Sequence, residues 1–598
     1  MTNNCSGCNI NLSTQLKRYC YLYYNPLAIL LWKGVDSTMS IHYKEYTVGK
    51  HQRSAFIYTP DKSWNCFTKP SSIVVLRNDD QESSVKKLLG MGLTELADKY
   101  HIVFVFPNPT EKGWNIDLSA DMPDDIEFLK AINQSIGAGI VGYECRVMHD
   151  ARYLIAVGQA SSIAAAYTTL HPELTAAVAL VAGDNLSHSI RDAQNLSMPS
   201  MLFNCSEALI SHFRRINNTD TKNVINDSII SYKDSTHPFH QVTVIKGEIK
   251  ELTATIIYKI WYDLFYKVRR INTSPLGNIC RRINFEECRF IMHLDDDRLG
   301  DNGGIPHSWM EHVPQSVLDD PSKPVPLLIF SHGATDNPMK AADMSKWHEI
   351  GEREGFITVY PLASNGVSFN LNLDPDEPSD VEFYLALIKY LKSKYNIDDS
   401  RVYISGFSNG AGMAQVMALL HPEIFAAIAP IDTMWPYVKA GPFAPEKFDF
   451  SKNIKPIEMG LEIQKKHNYR MPVWYVYGTR EMEYPIYKGV GQQYQYDAWK
   501  KYNNIPVKPT PEEPLDSECS IGVEGDEVEV IYPCAQDPEY KYSIHKFYSI
   551  DDHKNYYNLA LAHGKGHDVH YVDAELAWQF ISRFSRNPDG TLNDSQDS

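Results

Sequence analysis

Apolar runs of five to seven residues alternate along this chain with stretches of helical amphipathic spacing. Ser72-Ile-Val-Val-Leu-Arg-Asn78, Pro326-Leu-Leu-Ile-Phe-Ser-His332 and Val473-Trp-Tyr-Val-Tyr-Gly478 are of the first kind. Such runs predict strands buried on both faces, so the pattern implies βαβ units and a mostly parallel sheet covered by helices. The pattern occurs twice. Arg53 to Pro60 answers His307 to Pro314, Ser72 to Asn78 answers Pro326 to His332, and Glu95 to Pro107 answers Glu349 to Pro361, each 254 residues apart. Asp125-Ile-Glu-Phe128 is followed by Asp380-Val-Glu-Phe383, and Leu170-His-Pro-Glu by Leu420-His-Pro-Glu. Met198-Pro199 corresponds to Met471-Pro472, and Trp261 to Trp578. Order and spacing predict a tandem duplication. The turn-rich residues 275–305 lie between the copies.

In the second copy, the strand from Arg401 runs into Gly406-Phe-Ser408-Asn-Gly410 and then into a helix. A strand–Gly-x-Ser-x-Gly–helix order is the context of a nucleophile elbow, where a Cβ two residues either side of the serine collides with the crossing backbone. Ungapped alignment places Ala156, Gly158 and Ala160 opposite Gly406, Ser408 and Gly410; a two-residue gap places Ala160 at the serine. Neither register supplies a nucleophile.

Serine becomes nucleophilic when an imidazole takes its proton and a carboxylate orients that imidazole. In the order Ser, acid, His, the loop after Val473–Gly478 offers Glu481, and Gly564-Lys-Gly-His567 offers the base. Asp432 is the alternative acid; His563 and His570 compete with His567. The first copy has Ala208 and Lys250 in place of Glu481 and His567. The oxyanion needs backbone N–H donors, expected from Asn409 and from the loop Ser331-His332-Gly333-Ala334. The first copy carries Arg77-Asn78-Asp79 at that loop.

Composition narrows the reading. A formal charge of −17 and a pI near 5.7 argue against nucleic acid as the main partner. The 43 % apolar content is that of a packed globular protein. The ten cysteines lack a repeated spacing; Cys5 and Cys8 resemble half a zinc knuckle, and Cys519 and Cys534 could pair under oxidising conditions. No secretory signal or apolar segment of about 20 residues is visible, so a cytoplasmic protein without a membrane partner is expected.

His332-Gly333, Asp380-Val381-x-Phe383, Gly406-Phe-Ser-Asn-Gly410, Gly478-Thr-x-Glu481 and Gly566-His567 together resemble the α/β-hydrolase family of polyhydroxybutyrate depolymerases and feruloyl or acetylxylan esterases. The resemblance spans most of residues 305–590. It implies a carboxylic-ester hydrolase acting through an acyl-enzyme, without metal or organic cofactor, on short acyl, hydroxyalkanoate or aromatic esters. That family usually has Asp where Glu481 stands, and a tryptophan after Gly-His that is absent here. A serine peptidase, or a binding protein with a vestigial triad, is the alternative. The expected fold class is α/β, as tandem α/β-hydrolase folds with the first copy degenerate. Residues 1–40 form an unassigned extension, 41–280 the degenerate copy, 281–305 a linker and 306–598 the catalytic copy. Cap insertions near 433–470 and 484–555 carry Trp435, Tyr437, Tyr484, Tyr487, Tyr494, Tyr496 and Trp499. Trp435, Tyr484 and His332 are the expected substrate contacts.

Overall fold

The structure, a computed structural model, describes residues 41–60, 70–117, 119, 121–138, 147–187, 190, 197–237, 239–271, 277–285, 287–299, 306–433, 435–436, 450–481, 490–508, 525–533 and 540–597. Residues 1–40, Tyr437, Tyr484, Tyr487 and the cysteines Cys5, Cys8, Cys519 and Cys534 lie outside these.

Two ten-stranded sheets form, and their strands, counted in chain order, stand 1-2-4-3-5-6-7-10-9-8 across both. The first sheet starts at Ile41–Val48 and the second at Ile291–Asp296. The central strands are parallel and the outer ones antiparallel. Ser71–Leu76, Ile102–Pro107, Val325–Ser331 and Ile357–Pro361 are buried along their whole length, as their uninterrupted apolar sequence requires. Separate apolar clusters pack on the two faces of each sheet.

The duplication extends to side-chain hydrogen bonds. Asp125 accepts from the Asn115 N–H, and Asp380 from the Asn370 N–H, each at 2.7 Å. Asn217 clamps both backbone groups of Met198, and Asn503 those of Met471. Tyr153 donates to Val268 O and Tyr403 to Phe584 O. Arg270 gathers the carbonyls of Thr175, Ser197 and Gly277; Arg586 gathers those of Phe425, Arg470 and Gly590.

Two expectations are corrected. Within the expected linker 281–305, Ile291–Asp296 is the edge strand of the second sheet, paired antiparallel with His307–His312. Within the expected cap 484–555, Glu527–Ile531 and Tyr542–Tyr548 are sheet strands, and the helix Val490–Tyr502 is the counterpart of Glu207–Ile216 in the first half, ending at the same asparagine clamp. Its Tyr496 and Trp499 are core residues, and the Trp499 indole N–H donates to Gln415 at 2.8 Å. The helix Phe450–His467, in the other expected cap, lies against Asn409–Leu420; a Cβ on Gly460 would stand 2.6 Å from Leu419. Among the described residues no helix is long and apolar enough to cross a membrane.

The halves meet through buried charge. Arg269 of the first bonds Asp150 at 2.5 Å and reaches into the second to Asp343, at its carbonyl (2.9 Å) and carboxylate (3.3 Å). Lys346 and the Ile283 N–H hold the other Asp343 oxygen. Burial opposes ionisation of Asp343, and Lys346 and Arg269 outweigh it, keeping its pKa below the usual value. Removing one member of such a buried set strands the rest. Arg269→Met is expected to destabilise the protein by about 3–5 kcal/mol, measured as a fall in the urea midpoint; an unchanged midpoint would show that this junction contributes nothing.

Candidate active site

The elbow follows from steric exclusion. Ile397–Phe407 leads through Ser408, at φ 54° and ψ −116°, into the helix Asn409–Leu420. A positive φ at a non-glycine residue costs energy that surrounding contacts must offset. Here a Cβ on Gly406 would lie 2.3 Å from Gly410 O, and one on Gly410 2.2 Å from Ser331 O and 2.4 Å from His332 O. Both glycines are therefore obligatory, and the second brings the His332-Gly333 loop against the start of the helix. The Ser408 N–H donates to Ile431 O at 3.0 Å. In the first half, Gly158 has φ 58° and donates to Val181 O at 2.8 Å, so the ungapped register is the structural one. Ala160 carries the methyl that Gly410 excludes.

Ser408 Oγ lies 2.9 Å from His567 Nε2, and His567 Nδ1 lies 2.9 and 3.1 Å from the two Glu481 oxygens. Nδ1–H donates to Glu481, leaving Nε2 to accept from the serine hydroxyl. Glu481 is buried, whereas 31 % of the His567 side chain is exposed. Burial disfavours the imidazolium, but the hydrogen bond and charge of Glu481, with Asp432 behind, prevail and raise the His567 pKa above 6.5. The two loops are tied together: Arg480 N–H donates to Lys565 O at 2.9 Å, Gly564 N–H to Thr479 Oγ1 at 2.8 Å, and a Cβ on Gly478 would meet Lys565 O at 2.4 Å.

The Asn409 backbone N–H heads its helix, where the first N–H groups lack intrahelical acceptors. Its side chain accepts from the Phe369 N–H (2.7 Å) and donates to Phe369 O (3.3 Å). Asp336 N–H donates to Gly333 O at 3.0 Å, closing the loop that carries Gly333 and Ala334.

Residues 319–434 match the family model described as Esterase PHB depolymerase. The chain is 34 % identical over 128 residues to poly(3-hydroxyalkanoate) depolymerase C of Paucimonas lemoignei, covering 20 % of this chain and 30 % of that protein. A bifunctional acetylxylan esterase/xylanase of Neocallimastix patriciarum is 25 % identical over 265 residues, 44 % of this chain and 31 % of the relative. The chain thus spans about a third of the length of these relatives. A solved acetyl xylan esterase from Aspergillus awamori aligns with 49 % of this chain and 98 % of its own, at TM-score 0.34 and 18 % identity.

The second half uses several candidate residues differently from expectation. His332 is buried, with Nδ1 donating to Gly333 O (2.7 Å) and Nε2 accepting from the Ala363 N–H (3.0 Å). It shapes the loop and does not meet substrate. Trp435 is fully buried against Gly412 in the core, so it too is no substrate contact. The competing histidines are engaged elsewhere: His570 caps the final helix, its pKa lowered by burial to about 4, and His563 bonds Ser543 at 2.7 Å. In the first half, strand register carried past Phe203 puts Ala208 at the place of Glu481, and the starts of the following helices, at Ala254 and Tyr571, put Lys250 at that of His567. Neither is an imidazole.

Sequence reasoning missed Lys565, which stands in the same Gly-Lys-Gly-His run. Its buried ammonium bonds Asp432 at 2.6 Å and Asp573 at 3.1 Å. Asp432 also accepts from the Gly478 N–H, and Asp573 from Tyr542 and the His570 N–H. Burial pushes the Asp432 pKa up while Lys565 pulls it down. The alternative acid therefore anchors the histidine loop from beneath. A lysine flanked by glycines beside the candidate base was the available signal.

Gly410→Ala is expected to destabilise the protein by about 1–3 kcal/mol through overpacking against the Ser331 carbonyl. Ala160→Gly, at the position that already admits a methyl, should cost no more than about 1 kcal/mol. Urea denaturation of the two variants checks the contrast.

Proposed function

We propose that the second half is a serine hydrolase of carboxylic esters, with Ser408 as nucleophile, His567 as general base and acid, and Glu481 as the orienting carboxylate. The relay of 2.9 Å contacts from Ser408 Oγ through His567 to Glu481, on a strained elbow, carries this reading. The match to esterases and depolymerases supports the ester as the bond cleaved.

As Ser408 Oγ bonds to the acyl carbon, its proton passes to His567 Nε2, and Glu481 stabilises the resulting imidazolium. The carbonyl electrons move onto oxygen, which the N–H groups of Asn409 and the Gly333–Ala334 loop receive. Collapse breaks the ester C–O bond, and the leaving alcohol takes the proton from His567. Water, deprotonated by His567, then releases the acid from the acyl-enzyme and regenerates Ser408. Short acyl, hydroxyalkanoate and feruloyl-type esters are the substrate classes the resemblance favours.

The first half, lacking nucleophile, base and acid, serves as a brace. Asp568, next to His567, is buried facing His149 of the first half at 4.0 Å. Burial opposes its ionisation, and His149, Lys340 and Arg269 overcome it, holding its pKa well below the usual value.

Ser408→Ala is expected to abolish fluorophosphonate labelling and to lower kcat on nitrophenyl acyl esters by at least about 10⁴-fold. A variant that matches wild type on these esters would sink the assignment, and cleavage of peptide amides in preference to esters would replace it.

The base works only when neutral. Because the His567 pKa is raised, kcat/KM should fall on acidification through a pKa above 6.5. Glu481→Gln removes the carboxylate that raises it most and leaves only Asp432 behind, so the acid limb should move to lower pH while kcat drops by about 10⁴-fold. A pH–rate profile that keeps its limb in this variant would exclude Glu481 as the partner.

A further inference from the structure

The loop between Ile229–Lys233 and Gln241–Ile245, at the antiparallel edge of the first sheet, carries Asp234-Ser-Thr-His237-Pro-Phe-His240. It closes through hydrogen bonds from the Asp234 N–H to His240 O (3.0 Å) and from the His240 N–H to His237 O (2.8 Å). One Asp234 oxygen is saturated by the Thr236 N–H (2.8 Å), the Thr236 hydroxyl (2.7 Å) and the His237 N–H (3.3 Å). That leaves the other oxygen, Oδ2, which faces two imidazoles: His237 Nδ1 at 3.5 Å and His240 Nδ1 at 3.8 Å. One ligand atom from each of the three side chains falls within a 4.8 Å group.

We propose that Asp234, His237 and His240 form a binding site for a divalent transition cation of the zinc class. Bonds of about 2.0–2.1 Å to nitrogen and oxygen in a tetrahedral site set ligand atoms roughly 3.3 Å apart. The carboxylate-to-imidazole separations are already close to that. The Thr236 bonds orient the carboxylate as outer partners orient metal ligands. One adjustment is required. The two rings are stacked, with centroids 4.6 Å apart and planes 5° from parallel, and His237 Nδ1 also lies 2.8 Å from Thr236 Oγ1. Capture of the cation opens that stack so that both Nδ1 lone pairs converge on it, with the His237 ring proton carried on Nε2. Three protein ligands leave one position for water or an outside group.

The cluster has no counterpart at the matching turn of the second half. The corresponding turn of the second half closes in the same way, from the Ser549 N–H to Lys554 O at 3.0 Å. Its Asp551 pairs with Arg470 and its Asp552 accepts from Tyr556. Among the described residues this cluster occurs only in the first half, and the proposal stands independently of the ester-hydrolase reading.

The test is calorimetric titration of chelator-treated full-length protein with Zn²⁺, together with visible absorption of the Co²⁺ adduct. Wild type should bind saturably and give the intense absorption of a four-coordinate nitrogen/oxygen site. His237→Ala and His240→Ala should each weaken that binding at least tenfold and remove the absorption, with thermal melting unchanged. Thr236→Ala should weaken it by about 10-fold without removing it. The decision rests on the difference between variant and wild type, which cancels any binding at cysteines elsewhere in the chain. Absence of saturable binding, or an isotherm that both histidine variants leave unchanged, overturns the proposal.

Discussion

The near-contact between Gly410 and the Ser331 and His332 carbonyls is the constraint around which the second half is arranged. No side chain fits between helix and strand end there. The helix Asn409–Leu420 can therefore start directly beneath the loop that carries Gly333. This one crossing holds Ser408 at positive φ between the strand and the helix. The remaining loops need only deliver an imidazole and a carboxylate to a nucleophile already fixed in space. They do so as a pair, tied by Gly478, Arg480 and Gly564 and seated on the buried Lys565 ammonium. Buried charge at that position holds the loop only while its partners are present, which makes Asp432 and Asp573 as necessary to the geometry as Glu481.

Duplication separated scaffold from chemistry. Each half keeps the asparagine clamp, the arginine that gathers three carbonyls, the aspartate that orders the loop before its helix, and the same strand order. These groups satisfy buried backbone, and losing any of them would leave polar atoms unpaired. The hydrogen bonds from Ser408 to His567 and from His567 to Glu481 are not among these shared contacts. Gly158 still occupies the strained position of the elbow, with the backbone hydrogen bond intact and no side chain to react.

The sequence made the sheets legible because strands buried on both faces must be continuously apolar. It made the elbow legible because only glycine fits two of its positions. That Ser408, Glu481 and His567 come together was expected because their three types are absent together from the other copy. Trp435 was misread because an aromatic residue in a long connection looks alike whether it faces a cleft or the core. His332 was misread for a related reason. Both of its ring nitrogens are used up by backbone groups, one of them 31 residues away at Ala363, and spacing carries no trace of that.

What the sequence determined by itself was therefore local or repetitive: strand periodicity, the steric demand for Gly406 and Gly410, and the comparison of one copy with the other. What tertiary structure decided was partnership. Whether Asp432 or Glu481 meets His567, whether Lys565 is solvated or buried between carboxylates, and whether Arg269 faces water or the other half depend on where separate loops converge. Side chains choose among such partners by distance and burial, and burial is a property of the whole packed fold rather than of any segment.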